Sequence, residues 1–387
     1  MTLILCSFLF NFNELNPFIM NLFRPISKLY YRALGVVLIF SIGCQQRQTS
    51  PERVSDEDFK QLPKIDVHAH YKYPRAYLPD FFERWNMKAM LVDVAIEQGD
   101  SIVKSFDAYL AHYNQLPELF YLCTTFTAHG IENADYADTI IAQLEQDIAH
   151  GARMVKVWKN FGMVTKDSKG NFIQINDPRL NPIWDFLAKN KITVLAHIAD
   201  PEQAWRPLED HNNPHYNYYK NNPQYHAYNF PEMPSYETIL AARDQWIENN
   251  PELKIIAAHI LSMSNNINAV SECLDAYPNL SVELGARFGD LAMQDSEKVK
   301  QFFYQYQDRI LFGTDYGTSQ SEAKKSAEAL VEEAESLEER YRLLFDYLVK
   351  EDSMELRKQQ TKGLGLSKEV LEKVFSTNYL TFLADSN

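Results

Sequence analysis

Short apolar runs alternate with amphipathic stretches along the chain from about residue 65 onward. Eight of the apolar runs have the length of a buried strand. The predicted strands are Ile65–His68, Met90–Ile96, Phe120–Phe126, Met154–Trp158, Thr193–His197, Lys254–His259, Leu280–Leu284 and Ile310–Gly313. The predicted helices between them are Ser101–Asn114, Asp138–Ile148, Pro182–Asn190, Tyr236–Asn249, Ile267–Tyr277 and Glu297–Tyr306. Alternation of this kind indicates βαβ units and a parallel sheet. Eight such units over about 250 residues predict an α/β fold, a (β/α)8 barrel of the TIM type.

Three segments depart from a minimal barrel. Asp200–Pro234, after the fifth strand, is long and rich in Asn, Tyr, His and Pro, which is typical of a lid or binding loop. Ser321–Lys358 is charged, lacks glycine and is predicted to be helical, packing outside the barrel or against a second subunit of a homodimer. Ser367–Leu383 is predicted to be a closing helix capped by Ser367.

A basic segment followed by an apolar run marks the N-terminus. Arg24, Lys28 and Arg32 precede the apolar run 33–43, and Cys44 follows it directly. This order is typical of an export signal. The run is about half the length that a bilayer-spanning helix needs, which argues against an uncleaved anchor. A buried N-terminal helix is the alternative interpretation.

The motif Ser41-Ile42-Gly43-Cys44 resembles the lipobox of bacterial lipoproteins, with Ser41 where a leucine is usual. We therefore predict a lipoprotein-type signal peptide over 1–43, a tether over 44–60 and the barrel over 61–387. The protein is expected to be exported and anchored to a bacterial membrane through a lipid on Cys44, on the periplasmic or outer-membrane face. The stretch before Met20 carries no positive charge, so translation is expected to start at Met20.

Composition and charge narrow the function classes. The chain has 387 residues, of which 45% are hydrophobic and 23% charged, as in ordinary globular proteins. Asp and Glu number 52 against 38 Lys and Arg, so the net charge is −14. A chain this acidic is not expected to bind nucleic acid. Cys123 lies in a predicted strand and Cys273 in a predicted helix, so no disulfide framework is expected.

Polar residues stand where the predicted strands end, which is the face that carries chemistry in a barrel. They are His68 and His70 in the first strand, Lys156 in the fourth, His197 after the fifth, His259 after the sixth and Asp315 after the eighth. Alternation along a strand puts His68 and His70 on one face. Each residue alone has an ordinary explanation, such as a hydrogen-bonded structural histidine, a snorkelling lysine or a helix-capping aspartate. Together they would cost several kcal/mol to bury without a counter-charge, and neutral imidazoles with a carboxylate form the ligand set of catalytic zinc.

These motifs also carry a family resemblance. The sequence resembles the amidohydrolase superfamily from Leu62 to Leu383, and within it the amidohydrolase 2 group, which includes the α-amino-β-carboxymuconate-semialdehyde decarboxylase-like enzymes. The most specific segments are Ile65-Asp66-Val67-His68-Ala69-His70, Leu240-Ala241-Ala242-Arg243-Asp244, Ala258-His259 and Asp308-Arg309-Ile310-Leu311-Phe312-Gly313-Thr314-Asp315. The resemblance implies a metal-dependent barrel enzyme that activates water for hydrolysis, with a minority of relatives catalysing non-oxidative decarboxylation.

The resemblance also implies roles for individual residues. It makes His68, His70, His197 and Asp315 the ligands of a single metal and Asp315 the group that accepts the proton of the attacking water. His259 becomes the catalytic group that polarises the substrate or positions the water. In two-metal relatives a carboxylated lysine at the position of Lys156 bridges both ions, and the residues at the positions of His197 and His259 bind the second. One ion, most simply zinc, is favoured over two.

The sequence predicts three substrate contacts and is compatible with three functions. Lys156, Trp158 and Arg287 are predicted to bind a small-molecule substrate, although Arg287 pairing with Glu283 or Asp315 is an equal alternative. Arg243 and Asp244 are predicted to form a scaffolding ion pair. The first hypothesis is a hydrolase of an amide, ester or lactone. The second is a decarboxylase that uses the same metal, and the third is a surface lipoprotein that only binds its ligand.

Overall fold

The apolar runs form thirteen strands in the part of the chain that the structure describes. The structure is a computed structural model, and it describes residues 54–98, 101–209, 211 and 213–384. The strands are β1 Lys64–His70, β2 Met87–Val92, β3 Ile96–Gln98, β4 Ser101–Val103, β5 Phe120–Thr125, β6 Ala152–Val157, β7 Thr193–Ala196, β8 Ile255–Ala257, β9 Leu280–Glu283, β10 Ile310–Leu311, β11 Tyr316–Gly317, β12 Ser353–Leu356 and β13 Gln359–Lys362. The predicted signal peptide, the Met20 start and Cys44 lie outside the described residues.

Nine of these strands pair in parallel in the order β10-β9-β8-β7-β6-β5-β2-β1-β11. The two strands at the ends of this order, β10 and β11, are consecutive in the chain. Between them the carbonyl of Phe312 accepts a hydrogen bond from the amide of Val67 in β1, at 3.0 Å. The prediction of a curled parallel sheet with helices around it is confirmed. The predicted eighth strand Ile310–Gly313 is shorter in the structure, because only β10 is a strand and the residues after it lie outside any strand.

Helices follow most of the strands along the chain. They are α1 Asp56–Gln61, α2 Leu78–Arg84, α3 Phe106–Gln115, α4 Tyr136–Ala149, α5 Asn181–Lys189, α6 Tyr216–Asn221, α7 Tyr236–Asn249, α8 Ile267–Ala276, α9 Phe288–Ala292, α10 Ser296–Gln305, α11 Ala327–Val349, α12 Lys368–Glu372 and α13 Asn378–Ala384. Within the described residues, no helix is both long and apolar enough to span a bilayer. Helix α1 begins five residues before the predicted barrel boundary and buries Phe59.

Two predicted elements near the second strand are shorter than expected. The strand predicted to reach Ile96 ends at Val92, and the helix predicted from Ser101 begins at Phe106. The reason is Asp93, whose carboxylate accepts hydrogen bonds from the amides of Val94 at 2.9 Å and Ser105 at 3.0 Å. These bonds turn the chain out of the sheet, and β3 and β4 form a small antiparallel hairpin instead.

The C-terminal third differs from its prediction in one place. Helix α11 packs its apolar face on the core of this chain, through Leu337, Tyr341 and Phe345 among others. The predicted helix up to Lys358 is wrong beyond α11, because β12 and β13 form an antiparallel hairpin there. Ser367 caps α12 as predicted, accepting from the amide of Val370.

A bulge in β1 decides which way its histidines point. Ile65 and Val67 belong to the apolar cluster inside the curled sheet, and regular alternation would turn His68 away from it. The pairing of β1 with β2 shifts register between Asp66 and Ala69, where β1 has one extra residue. Such a bulge redirects the side chains that follow it. His68 and His70 therefore face the interior, whereas Asp66 faces outward and accepts from the Tyr341 hydroxyl at 2.6 Å.

Candidate metal centre

The predicted strand-end residues meet at the carboxyl end of the sheet. The contacts are His70 Nε2 to Asp315 Oδ1 at 3.0 Å, His68 Nε2 to Asp315 Oδ1 at 3.5 Å, Lys156 Nζ to His68 Nε2 at 3.2 Å and His259 Nε2 to His197 Nδ1 at 3.2 Å. The rings of His68 and His259 lie 5.0 Å apart, centre to centre. The six residues thus form one cluster although they come from five strand ends.

Glu283, at the end of β9, holds the centre of this cluster. Its Oε1 accepts from His68 Nδ1 at 2.9 Å and from the amide of His259 at 2.7 Å, and its Oε2 accepts from the amide of Gly285 at 2.5 Å. A Cβ at Gly313 would overlap this carboxylate, which explains the glycine at that position. Burial acts to raise the pKa of Glu283, but His68 and these hydrogen bonds outweigh it and lower the pKa. The sequence analysis considered Glu283 only as an alternative partner of Arg287, whereas its partner in the structure is His68.

Hydrogen bonds to acceptors fix the tautomers of three imidazoles. His70 Nδ1 lies 2.7 Å from the carbonyl of Val92, and His259 Nδ1 lies 2.8 Å from the carbonyl of Gly285. A carbonyl only accepts, so each Nδ1 carries a proton, and in the neutral ring Nε2 then carries the lone pair. His68 donates from Nδ1 to Glu283 in the same way. Burial lowers the pKa of His68 and of His259, which keeps both rings neutral.

His70 and Asp315 contact each other in this arrangement. The Nε2 of His70 is 3.0 Å from the carboxylate of Asp315, which only accepts, so the contact is favourable when a proton on Nε2 or a bound cation lies between the two atoms. Asp315 stays ionised, because the effect of His68, His70 and Lys156 outweighs burial and holds its pKa well below the usual range. The ligand atoms of His68, His70 and Asp315 lie within 4.8 Å of one another. Two imidazoles and a carboxylate fit a divalent metal ion, which would lie between these ligand atoms.

His197, the fourth predicted ligand, contacts His259 and Asp200 in this cluster. Its Nδ1 faces His259, and its Nε2 lies 3.4 Å from Asp200 Oδ1, a distance at which the contact is weak. Lys159 donates to the other oxygen of Asp200 at 2.7 Å, and all three side chains are buried. Burial lowers the pKa of His197 to about 3, so this ring is also neutral. The signal for Asp200 was its position three residues after a strand-end histidine.

A left-handed turn aims His259 into the centre. His259, Ile260, Leu261 and Ser262 all have positive φ, which is rare for residues with a side chain and most unusual for a β-branched one. Arg243 Nη1 donates to the carbonyl of Leu261 at 2.7 Å, and Ser262 Oγ donates to the carbonyl of Ala199 at 2.7 Å. Arg243 also pairs with Asp244, as predicted, but its buried contact with the turn is the one that bears on the site. Backbone strain of this kind is common where function requires it.

The centre opens into a small cavity of about 160 Å³. Its lining includes His197, Asp200, His215, Tyr218, Tyr219, His259, Arg287, Asp315 and Arg357. The predicted contact Arg287 therefore lines the same cavity as the candidate ligands. Trp158 lines a separate groove of about 440 Å³ beside Tyr225, and none of the candidate ligands lines that groove. Lys156 is fully buried beside His68, and burial lowers its pKa to about 8.

Comparison with known proteins identifies relatives of this arrangement. A family model described as amidohydrolase matches residues 65–380. No functionally curated protein matches the chain. A TIM-barrel protein of unknown function from Bordetella bronchiseptica is 16% identical, with 84% of this chain and 99% of that chain covered and a TM-score of 0.48.

Two solved enzymes are similar to the chain at the same level. The 2,6-dihydroxybenzoate decarboxylase from Rhizobium is 12% identical, with 84% of this chain and 99% of that chain covered and a TM-score of 0.48. A probable 2-pyrone-4,6-dicarboxylic acid hydrolase from Acinetobacter baumannii is 11% identical, with 83% and 99% covered and a TM-score of 0.44.

Proposed function

The chain belongs to the amidohydrolase family, and we propose that it is a metal-dependent hydrolase that cleaves an amide, ester or lactone bond of a small molecule. The observation that carries the proposal is the grouping of His68, His70 and Asp315, whose ligand atoms lie within 4.8 Å of one another at the carboxyl end of the sheet. Imidazole nitrogens and a carboxylate in this arrangement match the ligands of a catalytic metal ion. We also infer that the sheet closes as an eight-unit barrel, because β10 pairs with β9 while β11 pairs with β1.

Each residue of the centre has a distinct task in this proposal. His68, His70 and Asp315 hold one divalent ion, most simply zinc, and such an ion lowers the pKa of a water molecule towards neutrality. Asp315 is ionised and accepts the proton of the attacking water. His259 is locked by the Gly285 carbonyl with its Nε2 turned inward, where it orients the substrate or the water. Glu283 keeps His68 in the tautomer that presents Nε2.

Lys156 distinguishes the versions of this site. As an amine it is positioned to bind a substrate carboxylate, and as a carbamate it would bridge two ions with His197 and His259 as further ligands. We favour a single metal ion, because His68, His70 and Asp315 by themselves form a sufficient set of protein ligands for it. Decarboxylation on the same centre and ligand binding without catalysis are the outcomes that the experiment below separates from hydrolysis.

The test is metal content by mass spectrometry on the full chain, beside the variants His70→Ala and Asp315→Asn. We expect about one zinc per chain in the wild type and almost none in either variant, because each loses a ligand. The exposed His129→Ala serves as the matched control and keeps its metal. Two ions per chain would establish the carbamate version, and no metal after reconstitution with zinc or manganese would reject the proposal.

A second measurement separates hydrolysis from decarboxylation. Turnover of a panel of lactones, esters, amides and aromatic carboxylic acids in ¹⁸O-labelled water incorporates the label when the enzyme hydrolyses. Release of carbon dioxide without incorporated label would identify a decarboxylase instead. Binding without any product would favour the lipoprotein hypothesis.

We also propose that the protein is exported and attached to a bacterial membrane through a lipid on Cys44. The support is the order of a basic segment, an apolar run and Cys44 in the sequence. Cys44→Ala is expected to move the exported protein from the membrane fraction to the soluble one. A variant that stays with the membrane would show that another segment anchors it.

A further inference from the structure

We propose that Arg357, at the tip of the β12–β13 hairpin, acts with Arg287 as a receptor for a carboxylate group of the substrate. The inference rests on the proposed function in one respect, namely that the cavity beside the metal centre is the substrate site. It adds the chemical class of the substrate and a specificity-determining residue that the sequence analysis placed in a helix.

Arg287 lies in the cavity with hydrogen-bonding capacity to spare. Its side chain is buried, and its Nε has no hydrogen-bond partner among the residues that the structure describes. Its Nη1 donates only to the neighbouring carbonyl of Ala286, at 3.2 Å. A buried guanidinium donor without an acceptor is costly. The cost is removed when an anion in the cavity accepts from it.

The acidic groups of the cavity are already engaged elsewhere. Asp200 accepts from Lys159 at 2.7 Å. Asp290 does not line the cavity but is close enough to Arg287 to interact with it electrostatically, and it pairs with His215 at 2.9 Å. Asp315 faces His70 and His68. Within the described part of the chain, neither Arg287 nor Arg357 forms an ion pair with a carboxylate. The cavity of this acidic protein therefore presents two guanidinium groups that have no ion-pair partner among the described residues, although the exposed Arg357 also contacts Tyr316.

The hairpin places Arg357 at the cavity in a backbone conformation that sequence preference disfavours. Arg357 and Lys358 form its tip with φ of 53° and 68°, where asparagine and glycine are the preferred residues. Leu356, one residue earlier, is fully buried and anchors the hairpin. Gly289 is next to this tip: a Cβ there would lie 3.5 Å from the Cβ of Arg357, an ordinary van der Waals contact. A strained turn that carries a charged residue into a cavity indicates a function for that residue.

The chemistry of the receptor and the size of the cavity define the ligand class. Planar guanidinium groups match carboxylates with two parallel hydrogen bonds. A volume of about 160 Å³ is below that of typical ligand pockets, which begin at about 300 Å³, so the ligand is small. The substrate we infer is a small carboxylic acid whose bond to be hydrolysed reaches the metal centre while its carboxylate contacts the arginines.

The test measures binding of small carboxylates by isothermal titration calorimetry. The probes are acetate, succinate and benzoate, with succinamide as the neutral counterpart and inorganic phosphate as the competing anion. We expect at least one of the carboxylates to bind to the wild type. Arg357→Gln and Arg287→Gln should each lower the affinity for that carboxylate by about ten- to hundredfold, because this is the loss expected for a charge-assisted hydrogen bond. Lys358→Gln is the matched control at the same turn and leaves the affinity unchanged.

Several outcomes would overturn the inference. They are succinamide binding as tightly as succinate, phosphate binding more tightly than every carboxylate, an unchanged affinity in Arg357→Gln, or no binding of any probe. Arg287→Lys retains the charge without the planar fork and guards against misfolding of Arg287→Gln. The metal content tests the proposed function, and the arginine-dependent binding of carboxylates tests this inference. Either proposal can therefore fail without the other.

Discussion

Two buried lysines at opposite ends of the sheet show how the same residue type serves two purposes. Lys64 begins β1, and Lys156 lies in β6 near the metal centre; each is at most 1% exposed. Lys64 Nζ donates to the carbonyls of Phe59 at 2.5 Å, Leu62 at 2.7 Å and Trp85 at 3.0 Å. Lys156 Nζ has one hydrogen bond among the described residues, to His68 Nε2 at 3.2 Å.

The difference lies in how many donors are satisfied. An ammonium group has three donors, and Lys64 uses all of them on backbone carbonyls at the ends of α1 and α2, where positive charge is also favoured by the helix dipole. Lys156 has spare donors that point into a cluster of imidazoles and one carboxylate. Burial lowers the pKa of both amines, to about 7 for Lys64 and about 8 for Lys156, so the contrast lies in their partners. A buried lysine with complete partners serves the fold, whereas one with incomplete partners is available to chemistry. The following predictions test this distinction, from the largest expected effect to the smallest.

Lys156→Met is expected to lower turnover by about a hundredfold or more, because it removes the group that binds substrate or bridges metals. The free energy of unfolding should stay within about 1 kcal/mol of the wild type or rise, since an apolar side chain replaces an incompletely paired buried charge. Steady-state kinetics and urea denaturation measure the two effects. A large loss of stability with full turnover would place Lys156 in the same class as Lys64.

Glu283→Gln is expected to weaken metal binding by about ten- to a hundredfold, the usual effect of losing a hydrogen bond that orients a histidine ligand. Competition with a fluorescent zinc chelator measures the change. Asp290→Asn, which alters a buried carboxylate paired with His215, is the control and should keep its metal affinity. Equal affinities in the wild type and Glu283→Gln would mean that His68 does not depend on Glu283 for its orientation.

Lys64→Met is expected to cost about 2 to 4 kcal/mol in the free energy of unfolding, because three buried carbonyls lose their donor. Metal content and turnover of the folded variant should remain those of the wild type. Urea denaturation and mass spectrometry provide these values. Lys88→Met, at a solvent-exposed position of β2, is the control and should change stability little. Loss of metal from a folded Lys64→Met would contradict the proposed division between the two ends.

A smaller effect concerns pH. Burial lowers the pKa of His197 to about 3, against an ordinary value of 6.5 in the unfolded chain. The unfolded state therefore binds more protons between about pH 6.5 and 3, and the stability of the metal-free protein should fall as the pH falls through that range. His197→Gln should reduce this slope by up to about 1.4 kcal/mol per pH unit. Lys64→Met should keep the wild-type slope, which urea denaturation at several pH values can check.

The sequence alone was sufficient to predict the class of the sheet and most residues of the candidate metal centre. Long apolar runs separated by helical stretches leave few alternatives to a parallel sheet, so β1 and β5 to β9 were found with errors of a few residues at their ends. His68, His70, Lys156, His259 and Asp315 were identified because strand ends converge on one face of such a sheet. The β3–β4 and β12–β13 hairpins were missed because their short polar strands lack an apolar alternation.

What the sequence determined by itself is therefore the set of residues that the carboxyl edge carries, and what the tertiary structure decided is where each one points. Hydrophobic periodicity is local, but the bulge in β1, the left-handed turn at His259 and the strained tip at Arg357 depend on contacts between distant parts of the chain. His68 and Glu283 are 215 residues apart in the sequence. The two lysines follow the same division: the position of Lys156 in its strand assigned it, and not Lys64, to the functional face, but only the folded chain brings carbonyls to Lys64 and imidazoles to Lys156.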